Sequence, residues 1–336
     1  STPLYSSAAS DVYKRQFLDI SDWDLIEKFD EAFINSVTID DAIYGLPQSS
    51  TQAGAIIYYK PDYEELGLEV PHTWDEFLAN CEALKEAGKT PVYFTGGETW
   101  ATQVLFLGDY YNVAAANPTF AEDYTNGTAK YADVVEATRS WTKYEDLVDY
   151  LNADKSAATV TDGNMAIGTG EATHWFILTQ QLPLILENAE NQEDIGVFGV
   201  PGDDPENHGL TVWEPMTWYV NKDSEHIDAI KAFFEFYYSE EALNLYFETY
   251  GANGPSCIIG YELPESVCDA VRVDMQQYFD DGKITPALEY QSPIKGTSCE
   301  QLTTSVGLGQ MDGAEAAATY DEDCKKSAVQ LGYDWE

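Results

Sequence analysis

Two pairings of an indole with a carboxylate are the residues in this chain best suited to chemistry. Glu98 stands two residues before Trp100, and Trp213 stands directly before Glu214, each pair in a stretch that reads as loop. An indole face matches the apolar C–H face of a sugar ring, and carboxylates accept hydrogen bonds from the hydroxyls around it. The chain is rich in such material, with 8 Trp, 23 Tyr and 14 Phe. Packing is the competing role for each loop Trp, and Trp74, on the apolar face of a helix, reads as core. Catalytic signatures are missing: there is no HExxH, GxSxG, GxxxxGK[ST] or GxGxxG leading into a helix. The four histidines, His72, His174, His208 and His226, form no pair at helical ligand spacing, and the acidic loop DDPEN lacks the spaced ladder of a calcium loop. No metal or other cofactor is therefore expected. Glu98 and Glu214 are the one carboxylate pair worth testing for glycoside hydrolysis, which needs two such groups about 5–10 Å apart across a cleft.

The elements that must position these residues alternate. Residues 17–35 read as a strand end and a helix. A Gly-Pro turn and a small polar stretch lead into a β-rich run at 55–59. PHTWDEFLANCEALKEAG is a helix, with a capping box from Thr73 and Glu76, an apolar face of Trp74, Phe77, Leu78, Cys81 and Leu84, and Gly88 as its stop. TPVYFTG is a strand, 118–160 reads as helices with polar joints, DIGVFGVPG is a strand, and LTVWEPMTWYVNKDS is one or two strands. Ser224 and Ser239 are candidate helix caps, and the tail from Leu263 reads as mostly helical. This alternation argues for an α/β fold of about two domains.

Composition narrows the classes further. The formal charge is −42, so a phosphate backbone is repelled and nucleic acid is excluded as a partner. No apolar run reaches about 18 residues. Cys81 reads as a core residue. Cys257, Cys268, Cys299 and Cys324 fit either one or two disulfides, in any of three connectivities, or four unpaired core thiols. Residues 1–16 have neither the regions of a signal peptide nor apolar periodicity, and they end in a basic KRQ. They read as a leader foreign to the fold, of the kind left by cloning, or as a native disordered arm.

Five stretches then resemble one family in family order. IYGLPQSSTQAGAIIYYKPDYEELGLEVPHTWDEFLANCEALKEAG, DGNMAIGTGEATHW, DIGVFGVPG, DAIKAFFEFYYSEEALNLYFETYGANGPSC and GLGQMDGAEAAATYDED are similar to segments of the carbohydrate-type extracellular solute-binding proteins of ABC importers. The resemblance implies a periplasmic-binding-protein-like (type II) fold of two interleaved lobes with a ligand cleft between them. Residues 17–47 and 217–253 would form the first lobe, 53–208 and 258–336 the second, and 48–52, 209–216 and 254–257 the hinge crossovers. The strand-rich run that opens the family's first lobe has no counterpart here, so an incomplete first lobe with uncovered apolar faces is expected.

The resemblance also implies a site. Trp100 would stack on a ring, with Glu98 beside it. Glu171, Ala172 and Thr173 would lie on the family's G-x-W cleft turn, where Thr173 replaces the usual Trp and His174 or Trp175 substitutes for it. Trp213 and Glu214 would lie at the cleft floor, and Ser49, Ser50 and Gln52 on the first crossover. The tail near Gly296 lacks the family's aromatic, so a short oligosaccharide is expected over a long glucan. The implied role is non-enzymatic: a monomer outside the cell, tethered as a lipoprotein or periplasmic, captures a carbohydrate and docks on ABC permease subunits. A cationic or peptide solute, or a secreted acidic glycoside hydrolase, are the alternatives.

Overall fold

The computed structural model describes residues 16–335. The expectation for the leader, Gln16 apart, lies outside them; the Gln16 carbonyl accepts from Lys222 N. The organising element is β4 (Gln52–Tyr59), the β-rich run of the sequence, with every residue from Ala53 to Tyr58 buried. A strand covered on both faces needs apolar residues throughout rather than in alternation, and QAGAIIYY supplies them. The β-sheet order is β10 (Ile284–Pro286), β8 (Leu210–Trp213), β4, β6 (Ala172–Leu178) and β5 (Thr90–Val92), with β7 (Ile195–Phe198) also on β4. β4 runs antiparallel to β6, β7 and β8, while β5 is parallel to β6 and β10 to β8.

Side chains on the two faces of β4 enter different cores. Ala53, Ala55 and Ile57 join one that includes Trp175, Ile177, Leu182 and Met275. Ile56 and Tyr58 join another that includes Trp74, Phe77, Trp141 and Tyr320. The helix Trp74–Glu86 lies on the second core through Trp74, Phe77, Cys81 and Leu84, and its Thr73–Glu76 capping box is formed.

Residues before β4 and the segment 217–250 after β8 build a smaller body. β1 (Thr38–Ile39) and β2 (Ala42–Ile43) form a hairpin around Asp40 and Asp41, both at positive φ as a two-residue hairpin of this twist requires. β3 (Gly45–Pro47) pairs antiparallel with β9 (Thr217–Tyr219), and Phe17 bridges to Asn221. The helices Ile227–Tyr237 and Glu240–Tyr250 follow. Among the described residues this body has only these two-stranded ladders, and Phe233, Phe236, Leu245 and Tyr250 stand exposed on its helices.

Several local expectations change. The first helix is a short 3-10 turn (Asp24–Lys28) followed by Glu31–Val37. Ser239 caps its helix, but the helix expected after Ser224 begins at Ile227 with His226 in the cap position, and the Ser224 hydroxyl accepts from His226 N instead. The tail contains strand β10, too short to show a period. All five cysteines are buried and unpaired, so the disulfide option for Cys257, Cys268, Cys299 and Cys324 is corrected to the core-thiol option. No described helix is long and apolar enough to cross a membrane.

One buried ion pair stands out. Lys143 and Asp109 are each about 1% exposed; the ammonium donates to the carboxylate and to the Pro201 carbonyl, while Asp109 also accepts from Ser140 and Asn112. Removing one partner strands the other charge, so Asp109→Ala should destabilise the protein by about 3–5 kcal/mol, and Asp109→Leu with Lys143→Met should recover most of it. Urea unfolding of the two variants checks this.

Candidate functional site

Where the chain passes between its two bodies, it does so three times, side by side. Gln48 N donates to Met216 O (2.8 Å) and Gln48 Nε2 to Thr217 O (3.3 Å), joining the first crossing to the second. Thr51 N and Oγ1 both donate to Pro255 O (3.0 and 2.7 Å), joining the first to the third. Ser50 Oγ accepts from Asn253 N and Gly254 N at 3.0 and 3.3 Å. Strand directions then decide what else is near. β4 starts at this end, so β6 and β8, which run the other way, and β10, which is parallel to β8, finish here, while β5 runs the same way as β6 but ends beside its first residues. Loops at the carboxyl ends of strands are where α/β sheets hold ligands.

Trp100 follows β5 in a one-turn helix, Thr99–Thr102. Its ring is half-buried, and its indole N–H makes no hydrogen bond within the described residues. Glu98 is committed: its carboxylate accepts from Val160 N at the start of the helix Val160–Gly168. This interaction ties the loop after β5 to a neighbouring helix. Trp213 ends β8 opposite Gln52, whose buried Oε1 has no protein partner. Ser49 is half-buried beside Tyr246. Ser50, 1% exposed, has its hydroxyl occupied as a clamp between crossings, so its expected ligand role is corrected to a structural one.

The cleft turn expected at 171–175 is elsewhere. Residues 160–168 are helical, Gly170 turns at φ 71°, and β6 begins at Ala172. Tyr58 pairs with His174 and Gly54 with Leu178, so β6 starts at the far end of the sheet and only finishes beside Gln52. Seven strand residues span about 20 Å. Glu171 is therefore exposed at the wrong end. Thr173 is buried and donates to Asp62 Oδ2 (2.6 Å), while Lys89 Nζ holds Asp62 Oδ1, also at 2.6 Å. His174 is buried between Pro91 O and Tyr63 Oη, both at 2.7 Å, and burial drives its pKa down to about 3. Trp175 packs flat on Gly163, where a Cβ would meet the ring at 2.7 Å. These three are core, and no substitution for a cleft Trp occurs among them.

The residues at the end of β6 were missed. Thr179 Oγ1 accepts from Ala53 N (2.8 Å), and Gln181 Oε1 accepts from Asn164 Nδ2 (3.0 Å). Gln180 is half-buried and makes no side-chain hydrogen bond within the described residues. The signal was present: ATHWFIL is an unbroken strand-like run, and reading it as a full strand moves the turn to 179–181. Glu289, after β10, was also missed; Trp213 Nε1 donates to it at 2.6 Å.

Glu214 is 8% exposed, and its Oε2 is buried with no protein partner. Burial, with the nearby Asp30 charge, raises its pKa from 4.5 to about 7. Burial likewise raises Asp30, and burial with the Asp30 and Glu214 charges raises the Cys257 thiol. A carboxyl with a raised native pKa imposes no cost below about 4.5, and its full cost above about 7. Stability should thus fall as pH rises between these values. Glu214→Gln should remove that fall, recovering up to about 3 kcal/mol between pH 5 and 8 relative to wild type. Urea melts of both proteins at the two pH values test it; parallel pH profiles would refute it.

This architecture, two bodies joined by adjacent crossings with strand ends converging on them, defines a class. The family profile of the bacterial extracellular solute-binding protein matches residues 10–243, and the chain belongs to that family. Among curated relatives, the multiple sugar-binding protein of Streptococcus mutans is 25% identical over 231 residues, covering 66% of this chain and 53% of that protein. The osmoprotective compounds-binding protein GgtB of Synechocystis is 28% identical over 68 residues, 20% of this chain and 16% of that one. The chain thus spans at most about half the length of these relatives. Among solved structures, RafE in complex with raffinose has a TM-score of 0.77 at 21% identity, covering 95% of this chain and 83% of that one. The apo-form of RafE from Streptococcus pneumoniae has a TM-score of 0.76 at 21% identity over 97% and 83%. A chitin oligosaccharide binding protein has 0.77 at 21% over 96% and 82%. These likenesses show the fold: α/β, periplasmic-binding-protein-like.

Proposed function

We propose that this protein captures a carbohydrate, a short oligosaccharide, outside the cell and delivers it to the membrane subunits of an ABC importer. The observation that carries the reading is that Gln52, Trp213 and the turn carrying Gln180 lie on the end of the sheet where the three crossings lie together. On this reading 17–47 and 217–253 act as one lobe and 53–208 and 258–336 as the other, closing on the sugar about 48–52, 209–216 and 254–257. Trp100 and Trp213 stack on ring faces. The Gln52 and Gln180 amides bond hydroxyls, and Glu214, un-ionised below about pH 7, both donates and accepts. The sugar-binding names of the S. mutans relative and of the raffinose and chitin-oligosaccharide structures agree with this ligand class. The protein works as a tethered monomer and performs no hydrolysis; with Glu98 bonded to Val160 N, the one candidate acid pair lacks a free member.

Calorimetric titration with raffinose, stachyose and a chitin oligosaccharide tests the reading. At least one should bind saturably, Trp100→Ala should weaken it by about ten-fold or more without changing the circular dichroism, and no reducing ends should appear. Binding to none of them, or turnover that Glu98→Gln abolishes, overturns it.

A further inference from the structure

We propose that Glu289 is the positioning residue that sets the angle of the Trp213 ring for the sugar; the inference rests on the binding reading above. The parallel register of β8 and β10 matches Val212 with Pro286, and Ala287 N donates to Val212 O (2.9 Å), so the residues just beyond both strands meet. There Glu289 Oε1 accepts from Trp213 Nε1 at 2.6 Å, and Glu289 Oε2 accepts from Lys295 Nζ at 2.9 Å. The carboxylate is gripped from both sides, and its bond to the indole is of the short, charge-assisted kind.

The rest of the ring's surroundings leave its tilt to that bond. One edge lies over Gly54, where a Cβ would come within 3.0 Å of the ring and 2.9 Å of Gly108 Cα; the absence of a side chain is what lets the indole lie there. A small cavity of about 30 Å³ adjoins the ring, walled by Phe106, Leu107, Tyr110 and Lys295. That is room for a water, and it leaves one side of the ring without packed neighbours. With only 8% of Trp213 exposed, a small tilt removes the face it offers to a ligand. Packing fixes where the indole sits, and Glu289 fixes which way it faces.

A double-mutant cycle, read by titration with the sugar of the panel that wild type binds, tests this. Glu289→Ala should weaken binding by about ten-fold, whereas Glu289→Gln, which keeps an acceptor for the indole N–H, should stay within about three-fold. Trp213→Phe removes the donor, so adding Glu289→Ala to it should cost nothing more. Lys295→Met, outside the indole contact, should weaken wild type by about three-fold and Trp213→Phe not at all; it carries the test should Glu289→Ala fail to fold. The inference is overturned if Glu289→Ala or Lys295→Met binds like wild type, if Glu289→Gln is as weak as Glu289→Ala, or if either change weakens Trp213→Phe as much as wild type. No binding by wild type overturns the binding reading together with it; normal binding with any of the other results overturns this inference alone.

Discussion

Everything at the candidate site depends on three chain crossings held within hydrogen-bond distance of one another. Ser50, Thr51 and Gln48 bind the first crossing to the second and third through five hydrogen bonds to backbone groups of 216–217 and 253–255, three of them to the carbonyl oxygens of Met216, Thr217 and Pro255. A further backbone bond, Thr51 N to Pro255 O, makes the ribbon tighter still. Buried backbone groups demand such partners, and here they find them across the seam between two bodies rather than within a sheet. β4 begins at the seam, which brings the ends of its antiparallel neighbours β6 and β8 to the same place.

Charge is distributed with the same economy. With 17 basic residues against 59 acidic ones, most carboxylates face solvent, and the few lysines that reach inward, one buried and two partly exposed, each hold a particular carboxylate. Lys143 holds Asp109 in one core, Lys89 holds Asp62 beneath Thr173, and Lys295 holds Glu289 against Trp213. Glu214 is the contrast. It is buried at the seam beside another carboxyl and receives no cation, so its proton is its only means of neutralisation near pH 7. A buried acid left without a partner is costly for stability, and this one lies directly after β8, where the second crossing begins.

How much was legible in the sequence can be followed residue by residue. The helix Trp74–Glu86 was readable to its cap because Thr73, Glu76 and the 3.6-residue spacing act locally. β4 was readable because a buried strand needs its uninterrupted apolar residues. The types at Trp100, Trp213 and Gln52 pointed to a site because aromatics and amides beside turns suit hydroxylated ligands. The turn at 171–175 was misplaced because the match of GTGEATHW to a family motif is blind to strand direction. A shift of one strand length carried Glu171 to the far end of the sheet and sank Thr173, His174 and Trp175 into the core.

Sequence by itself determined the longer local elements, the core-forming faces, the acidic surface and the family, since each follows from residue type and short-range spacing. Tertiary structure alone decided which strand ends share the seam, that Ser50 and Glu98 are occupied by backbone N–H groups, that the four tail cysteines stay unpaired, and that Glu289 reaches Trp213 across 76 positions of sequence. The physical reason is that these depend on pairing direction and register. Both are set by contacts between residues far apart in the chain, where residue type says what can bond but not which partner arrives.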